Sequence, residues 1–225
     1  MPCNLRCTNE TTPVFDMRKV LTHTRRVEND RNDAWATDLV KRVGRAMKEA
    51  RGSRSATWLS DRTAELGYRV PATVISKLDS GHRGSVLGVA ELVVLAAALD
   101  MPPVALLYPA LPDGEVSMLP GRHASSIAAV RWFSGEISRS SIDGTADPAQ
   151  IDAERDNLRR VKLSRRKAYL QDSIALSERV EAMSLEQRET FVDANPAAIR
   201  SLTDLNRADL DRLSAEISNR GWGGR

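Results

Sequence analysis

The segment Leu59–Gly81, LSDRTAELGYRVPATVISKLDSG, constrains the fold more than any other part of the chain. It interrupts helical apolar spacing with glycine and proline, so it reads as two short helices joined by a tight turn. Leu59, Thr63 and Leu66 follow one another at intervals of four and three, which predicts one buried face. Gly67 stands where a chain leaving a helix needs a left-handed residue. Pro71 suits the opening turn of the second helix, because its missing N–H has no partner there anyway. In that helix Val74, Ile75 and Leu78 predict the inward face, while Ala72, Thr73, Ser76 and Lys77 point away. The outward face is small, polar and singly basic, which suits contact with something outside the protein. A purely structural helix can share that pattern, so the flanks must decide.

Upstream, Asp33 is the expected N-cap of a helix reaching Arg51, with Leu39, Val43, Ala46, Met47 and Ala50 at helical spacing. Lys41, Arg42, Arg45 and Lys48 fall on the other side as a solvated basic face, and Gly52 ends the run. Ser55 is placed to cap the helix that bears Trp58 and Leu59. Its first N–H groups, with Arg54, Ser55 and Thr57 beside them, form a ready phosphate site. After Gly81 the loop His82-Arg83-Gly84 offers two side chains able to carry positive charge. Ser85 then caps an apolar helix, Val86–Leu99, that buries Leu87, Leu92, Val93, Leu95, Ala96 and Leu99. Pro102 and Pro103 restart a short helix, Val104–Tyr108, whose Val104, Leu107 and Tyr108 close a five-helix bundle.

On these residues the segment Val43–Tyr108 resembles the helix-turn-helix family of the phage Cro and C1 repressors, the Xre-like regulators. The carriers are VGRAMKEARG, LSDRTAELG and above all VISKLDSGHRG, similar to the family's -ISR(I/L)E-G-R ending, with Asp79 where Glu is commoner. SVLGVAELVVLAAALDMPPVALLY matches the fourth and fifth helices, so the resemblance covers about a third of the chain. It implies an all-α protein: a five-helix lambda-repressor-like helix-turn-helix bundle with a helical C-terminal extension. It also implies a sequence-specific regulator of transcription that binds double-stranded DNA, a repressor acting as a homodimer. The base-reading positions fall on Ala72, Thr73 and Lys77, with Ser76 adjacent, and Arg54, Arg69, His82 and Arg83 bracket them. Two departures stand out. The turn GYRVP is longer and more basic than the family's, and Pro71 replaces the common Ser N-cap. Ala72 and Thr73 suit a thymine methyl and Lys77 suits guanine O6 or N7, so discrimination by this helix is modest, about 1–3 kcal/mol per good contact.

Elsewhere the expectations are coarser. Residues 1–33 mix Thr, Asn, Asp, Arg and Pro without a period and read as a disordered tail, with Met17 an alternative start. Val116, Met118 and Leu119 read as a short extended piece, followed by a helix over His123–Gly135 lined by Ile127, Val130 and Phe133. The pattern LPGR…RWFSGE resembles an extension of actinobacterial members of the same regulators, in which Trp132 and Phe133 pack on the bundle or form a partner surface. The domain division is therefore 34–136, a Ser/Asp/Gly/Pro linker over 137–150, and a helical region over 151–225. In that last region Leu158, Val161, Leu163, Leu170, Ile174 and Ser177 form a narrow stripe on a charged helix from Ile151 to about Met183. Seven cations against Asp156 lie between Arg155 and Lys167; Arg159, Arg160, Arg165 and Arg166 make it a candidate second phosphate patch or a solvated face. Ser184–Gln187 opens a further helix to about Ala194, Asn195-Pro196 breaks it, and Ala197–Ile217 is amphipathic, which suggests pairing with a second copy.

Composition excludes several classes. No apolar run approaches the ~20 residues that span a bilayer, and no secretory signal opens the chain, so a cytoplasmic protein without membrane association is expected. A net charge of +3 permits an anionic partner without demanding one. Cys3 and Cys7 with His23 fall short of a metal ligand set and read as free thiols. No metal or cofactor is expected, and His123 has no partner in sequence reach. An enzyme is disfavoured, since the C-terminal third lacks a nucleophile elbow, ligand spacing or phosphate-cradling glycine loop. The competing reading is a protein-interaction module, such as an antitoxin-like protein that binds a partner.

Overall fold

The structure, a computed structural model, describes residues 17–144, 147–183 and 196–222, with side chains from Asp33 onward apart from 143 and 196. The expectations for Cys3, Cys7 and the 184–194 helix lie outside these residues. Among the described residues the chain is mostly helical with one two-stranded sheet, and it forms two compact units, Met1–Ser126 and Ile127–Arg225.

In the first unit, α1 spans Met17–Arg51, starting well before the expected cap at Asp33. Neither glycine nor proline occurs between Met17 and Asp33, so nothing there terminates a helix. Val40, Val43, Ala46 and Met47 are buried; Ala50 is exposed, contrary to expectation, because the buried stripe leaves the last turn through Arg51 instead. The basic face of α1 is not wholly solvated. Arg42 Nε donates to the Leu107 carbonyl (2.8 Å) and Nη1 to that of Ser117 (3.2 Å), beneath the Tyr108 ring. Burial holds that guanidinium below its ordinary pKa and pushes the Tyr108 phenol up.

Helices α2 (Ala56–Glu65) and α3 (Ala72–Asp79) end alike. Gly67 (φ +86°) donates to the Ala64 carbonyl and Tyr68 to that of Thr63; Gly81 (φ +70°) donates to Leu78 and His82 to Lys77. This paired bonding satisfies the last carbonyls of each helix and needs a left-handed residue, which explains the two glycines. Leu66 becomes the cap of α2 and is exposed rather than buried, so the inner face is Leu59, Ser60 and Thr63. Thr63 ties the turn down: its Oγ1 accepts from the buried Val70 N–H at 2.9 Å and donates to the Ser60 carbonyl at 2.7 Å. Thr63→Val preserves shape but strands that N–H, so a loss of about 1–3 kcal/mol in urea unfolding is expected, whereas Thr63→Ser keeps the bond and loses only one buried methyl, about 0.8 kcal/mol.

Helix α4 (Val89–Ala98) starts later than expected. Gly88 rather than Ser85 is its cap residue, and the Glu91 carboxylate accepts from the Gly88 N–H at 3.0 Å. Leu92, Leu95, Ala96 and Ala98 are buried, whereas Val86, Val89 and Val93 are exposed, Val93 against expectation. Helix α5 (Pro103–Leu107) buries Leu106 and Leu107, with Tyr108 behind them. Strand β1 (Glu115–Leu119) buries Val116 and Met118 and pairs antiparallel with β2 (Arg122–Ser125). The expected extended piece is thus half of a hairpin, and His123 lies in its second strand rather than in a helix. Helix α6 therefore runs Ser126–Phe133, a phase that buries Ser126 and Ala129 and leaves Ile127 and Phe133 exposed.

The second unit begins inside α6, ahead of the expected boundary at 136, because the turn that ends α6 packs on the long C-terminal helix. A Cβ on Gly135 would stand 3.3 Å from Val161, and Arg165 donates to the Ser134 carbonyl. The expected linker contains a short helix, α7 (Ser140–Asp143), and α8 (Pro148–Ala182) starts from an Asp147 cap. Helix α9 (Pro196–Asn219) returns antiparallel to α8: Arg159 meets Glu216, Arg166 meets Asp209 and Ser173 meets Asn206. The seam is Leu170, Leu213 and Ile217, with Leu163, Leu210 and Trp222 against it. On the remainder of α9 Leu202 and Leu205 are exposed, and Thr203 is buried.

Candidate nucleic-acid interface

Helix α3 carries the candidate surface, and two devices on α1 fix its inner side. Gly44 lies where α1 crosses the end of α3; a Cβ there would stand 2.2 Å from the Leu78 carbonyl oxygen. Only glycine permits that approach. Seven residues on, Arg51 grips Asp79 through two bonds, Nη2–Oδ2 at 2.8 Å and Nη1–Oδ1 at 3.3 Å. Their side chains are only 7% and 14% exposed, so the pair is shielded from water and strongly coupled. Arg51 Nε also bonds the Arg54 carbonyl at 2.7 Å, linking the clamp to the loop before α2. The Asp that departs from the commoner Glu is therefore the ionic partner of α1. Neither Gly44 nor Arg51 was picked out by sequence reasoning. The signal that could have found them was an isolated glycine inside the helical run VGRAM.

With Ile75 and Leu78 buried inward, Thr73, Ser76 and Lys77 are exposed on the other face, and Ala72 is half-buried. Pro71 occupies the cap itself, one position before the expected opening turn, and its carbonyl accepts from Ile75. Lys77 and His82 have no ion-pair or side-chain hydrogen-bond partner among the described residues. Ser55 caps α2, its Oγ accepting from the Trp58 N–H at 3.0 Å, while the first-turn Ala56 and Thr57 N–H groups have no partner within the helix. Arg54 stacks over the Trp58 ring at 4.1 Å, which holds a cation beside that helix start.

Three of the expected cations have protein partners: Arg54 Nε donates to the Arg51 carbonyl at 3.0 Å, and Arg83 and Arg69 form ion pairs. Arg83 Nη2 bonds Glu91 at 2.8 Å and Nε bonds the Val86 carbonyl, with both side chains of the ion pair mostly buried. It braces the loop to α4. Arg69 pairs with Asp61 at 2.8 Å, but both are more than half exposed. Such a pair is worth little and exchanges readily for a phosphate.

The arginine-rich part of α8 is likewise partly committed. Arg159 bonds Glu216 (2.7 Å) and holds that carboxylate below its ordinary range, Arg166 reaches Asp209 and stacks on Tyr169, and Arg165 bonds the Ser134 carbonyl. Arg160, Lys162 and Lys167 have no acidic partner among the described residues. If this face touches phosphates, those three do most of it. Replacing all three with Gln is then expected to lower the slope of log K against log salt by about 2–3, whereas Arg159→Gln should leave it nearly unchanged.

Among the described residues no helix is long and apolar enough to cross a membrane, and no three His, Cys, Asp or Glu side chains converge as metal ligands. No family model matches the chain, and no curated protein or solved structure is significantly similar to it.

Proposed function

We propose that the chain is a cytoplasmic, sequence-specific regulator that binds double-stranded DNA through α2 and α3 in helix-turn-helix fashion, as a homodimeric repressor. The observation that carries this reading is the two-sidedness of α3. Its inner face is pinned to α1 by Gly44 and by the Arg51–Asp79 pair, while Thr73, Ser76 and Lys77 stand exposed and uncommitted. A short helix held this rigidly with a small outer face suits entry into a major groove, with the α2 start and Arg54 placed to meet backbone phosphate. Arg69 is the flanking cation and His82 a flanking hydrogen-bonding side chain; Arg83 is assigned to bracing. Exposed Tyr169, Leu176, Leu202 and Leu205 on the α8–α9 pair supply the apolar surface for a second copy. No catalytic step and no cofactor is assigned.

Lys77→Ala tests the base-reading role. Against a duplex selected by the wild-type protein, affinity is expected to fall about tenfold, within the 1–3 kcal/mol of a lost base contact, and the choice of base at one position to relax. Unchanged affinity and unchanged base preference would remove α3 from the reading.

The same apolar residues on α8 and α9 favour a second reading, a partner-binding module of the antitoxin-like kind. A stoichiometric protein partner, with DNA binding indifferent to joint Lys77→Ala and Thr73→Ala replacement, would select it.

A further inference from the structure

We propose that the first unit holds a binding site for a small, neutral, largely apolar ligand, in the hollow between α1 and the start of α4. The hollow has a volume of about 280 Å³ and is walled by Trp35, Leu39, Leu87, Val89, Leu92 and Leu107 among others. An apolar cavity of ~150 Å³ takes up benzene, so this one accommodates about a dozen heavy atoms. None of its lining residues is ionisable. A charged ligand entering it would lose its water without gaining a counter-ion, which sets the ligand class as neutral. Two polar side chains border the hollow, the Ser85 hydroxyl and the Trp35 indole. The indole Nε1 is closed to solvent and has no acceptor among the described residues. An unmet donor is a standing cost, and a ligand that shifts the indole so that a carbonyl or ether oxygen meets its N–H removes that cost. The ligand is therefore an aromatic or aliphatic compound of about a dozen heavy atoms with one oxygen acceptor.

The wall nearest the surface gives the site its consequence. Ser85, Leu87 and Gly88 belong to the loop leaving α3, and that loop is held by the Arg83–Glu91 pair and by the Glu91 bond to Gly88. A ligand that shifts this loop shifts the brace behind His82. This regulatory half rests on the DNA-binding reading; the binding half stands without it.

The test uses the full chain in the absence of DNA. Titration with 1-acetonaphthone, neutral with one carbonyl, is compared with 1-naphthoate, its anionic counterpart of equal size, by Trp fluorescence and calorimetry. Saturable binding of one ketone per chain is expected, at least tenfold tighter than the anion. Ala36→Phe, which fills the hollow from α1, should abolish it, and Trp35→Phe should weaken it about tenfold, both with unchanged helical circular dichroism. Absence of saturable binding, equal affinity for the anion, or binding indifferent to Ala36→Phe would each overturn the proposal. So would a wild-type dimer that Ala36→Phe dissociates without any ketone binding, since the hollow would then belong to a second copy. A ketone that binds as expected but leaves DNA affinity unchanged would overturn the regulatory half alone.

Discussion

Asp79→Ala is expected to cost about 3 kcal/mol of stability, near the lower end for a severed buried ion pair because Asp79 keeps some contact with water. The loss arises chiefly from what is left behind. Arg51, 7% exposed, keeps a charge that little solvent reaches, and among the described residues only the Arg54 carbonyl still accepts from it. Arg51→Ala should do comparable damage from the other side. Replacing both, Arg51→Met with Asp79→Leu, should recover most of the loss, since apolar pairs of similar volume often match a buried ion pair. Urea unfolding of the wild type, the two alanine singles and the Arg51→Ala, Asp79→Ala double variant closes the cycle, and a coupling energy below about 0.5 kcal/mol would show that the clamp is not coupled as described. On the DNA-binding reading, the single variants also lose affinity for duplex even where still folded, because the end of α3 is released.

Gly44→Ala is expected to destabilise the first unit by a net ~2 kcal/mol. Alanine in a helix interior gains about 1 kcal/mol over glycine, so on an open helix face this change stabilises. Here the new methyl would meet the Leu78 carbonyl oxygen at 2.2 Å and its carbon at 2.8 Å, both backbone atoms that cannot rotate aside. Relief requires α3 to move away from α1, and overpacking of this kind costs 1–3 kcal/mol or more. The shift also pulls Asp79 from Arg51, so the two effects should couple. Thermal unfolding followed by circular dichroism reads the sign directly: a raised midpoint would contradict the close crossing of α1 and α3.

How much of this was legible in the sequence depends on the kind of signal. The two glycine-ended helices were, because Gly67 and Gly81 are what left-handed caps require and Ile75 and Leu78 keep helical period. The exposed faces of Thr73, Ser76 and Lys77 followed from the same period. What escaped were contacts between residues far apart in the chain. Arg42 looked like one more solvated cation until its guanidinium met the carbonyls of Leu107 and Ser117. Arg83 looked like a phosphate contact, yet Glu91 claims it, and the patch on α8 loses Arg159 and Arg166 to α9 in the same way. A charge pattern reports how many cations a helix has, not which carboxylates the fold brings to them. The hairpin was missed for a local reason: β2 is only four residues, RHAS, with little β-branched or aromatic content.

The most direct test of α3 as a base reader is selection from a random duplex library at low salt with the full chain, run in parallel on the Lys77→Ala, Thr73→Ala double variant. The account predicts that the wild-type protein retains related sequences arranged as two half-sites about one helical turn (~34 Å) apart, that retention falls steeply with added salt, and that the double variant relaxes the choice of bases within each half-site. A wild-type protein that retains no duplex at low salt, or a double variant that selects the same bases as the wild type, would contradict it.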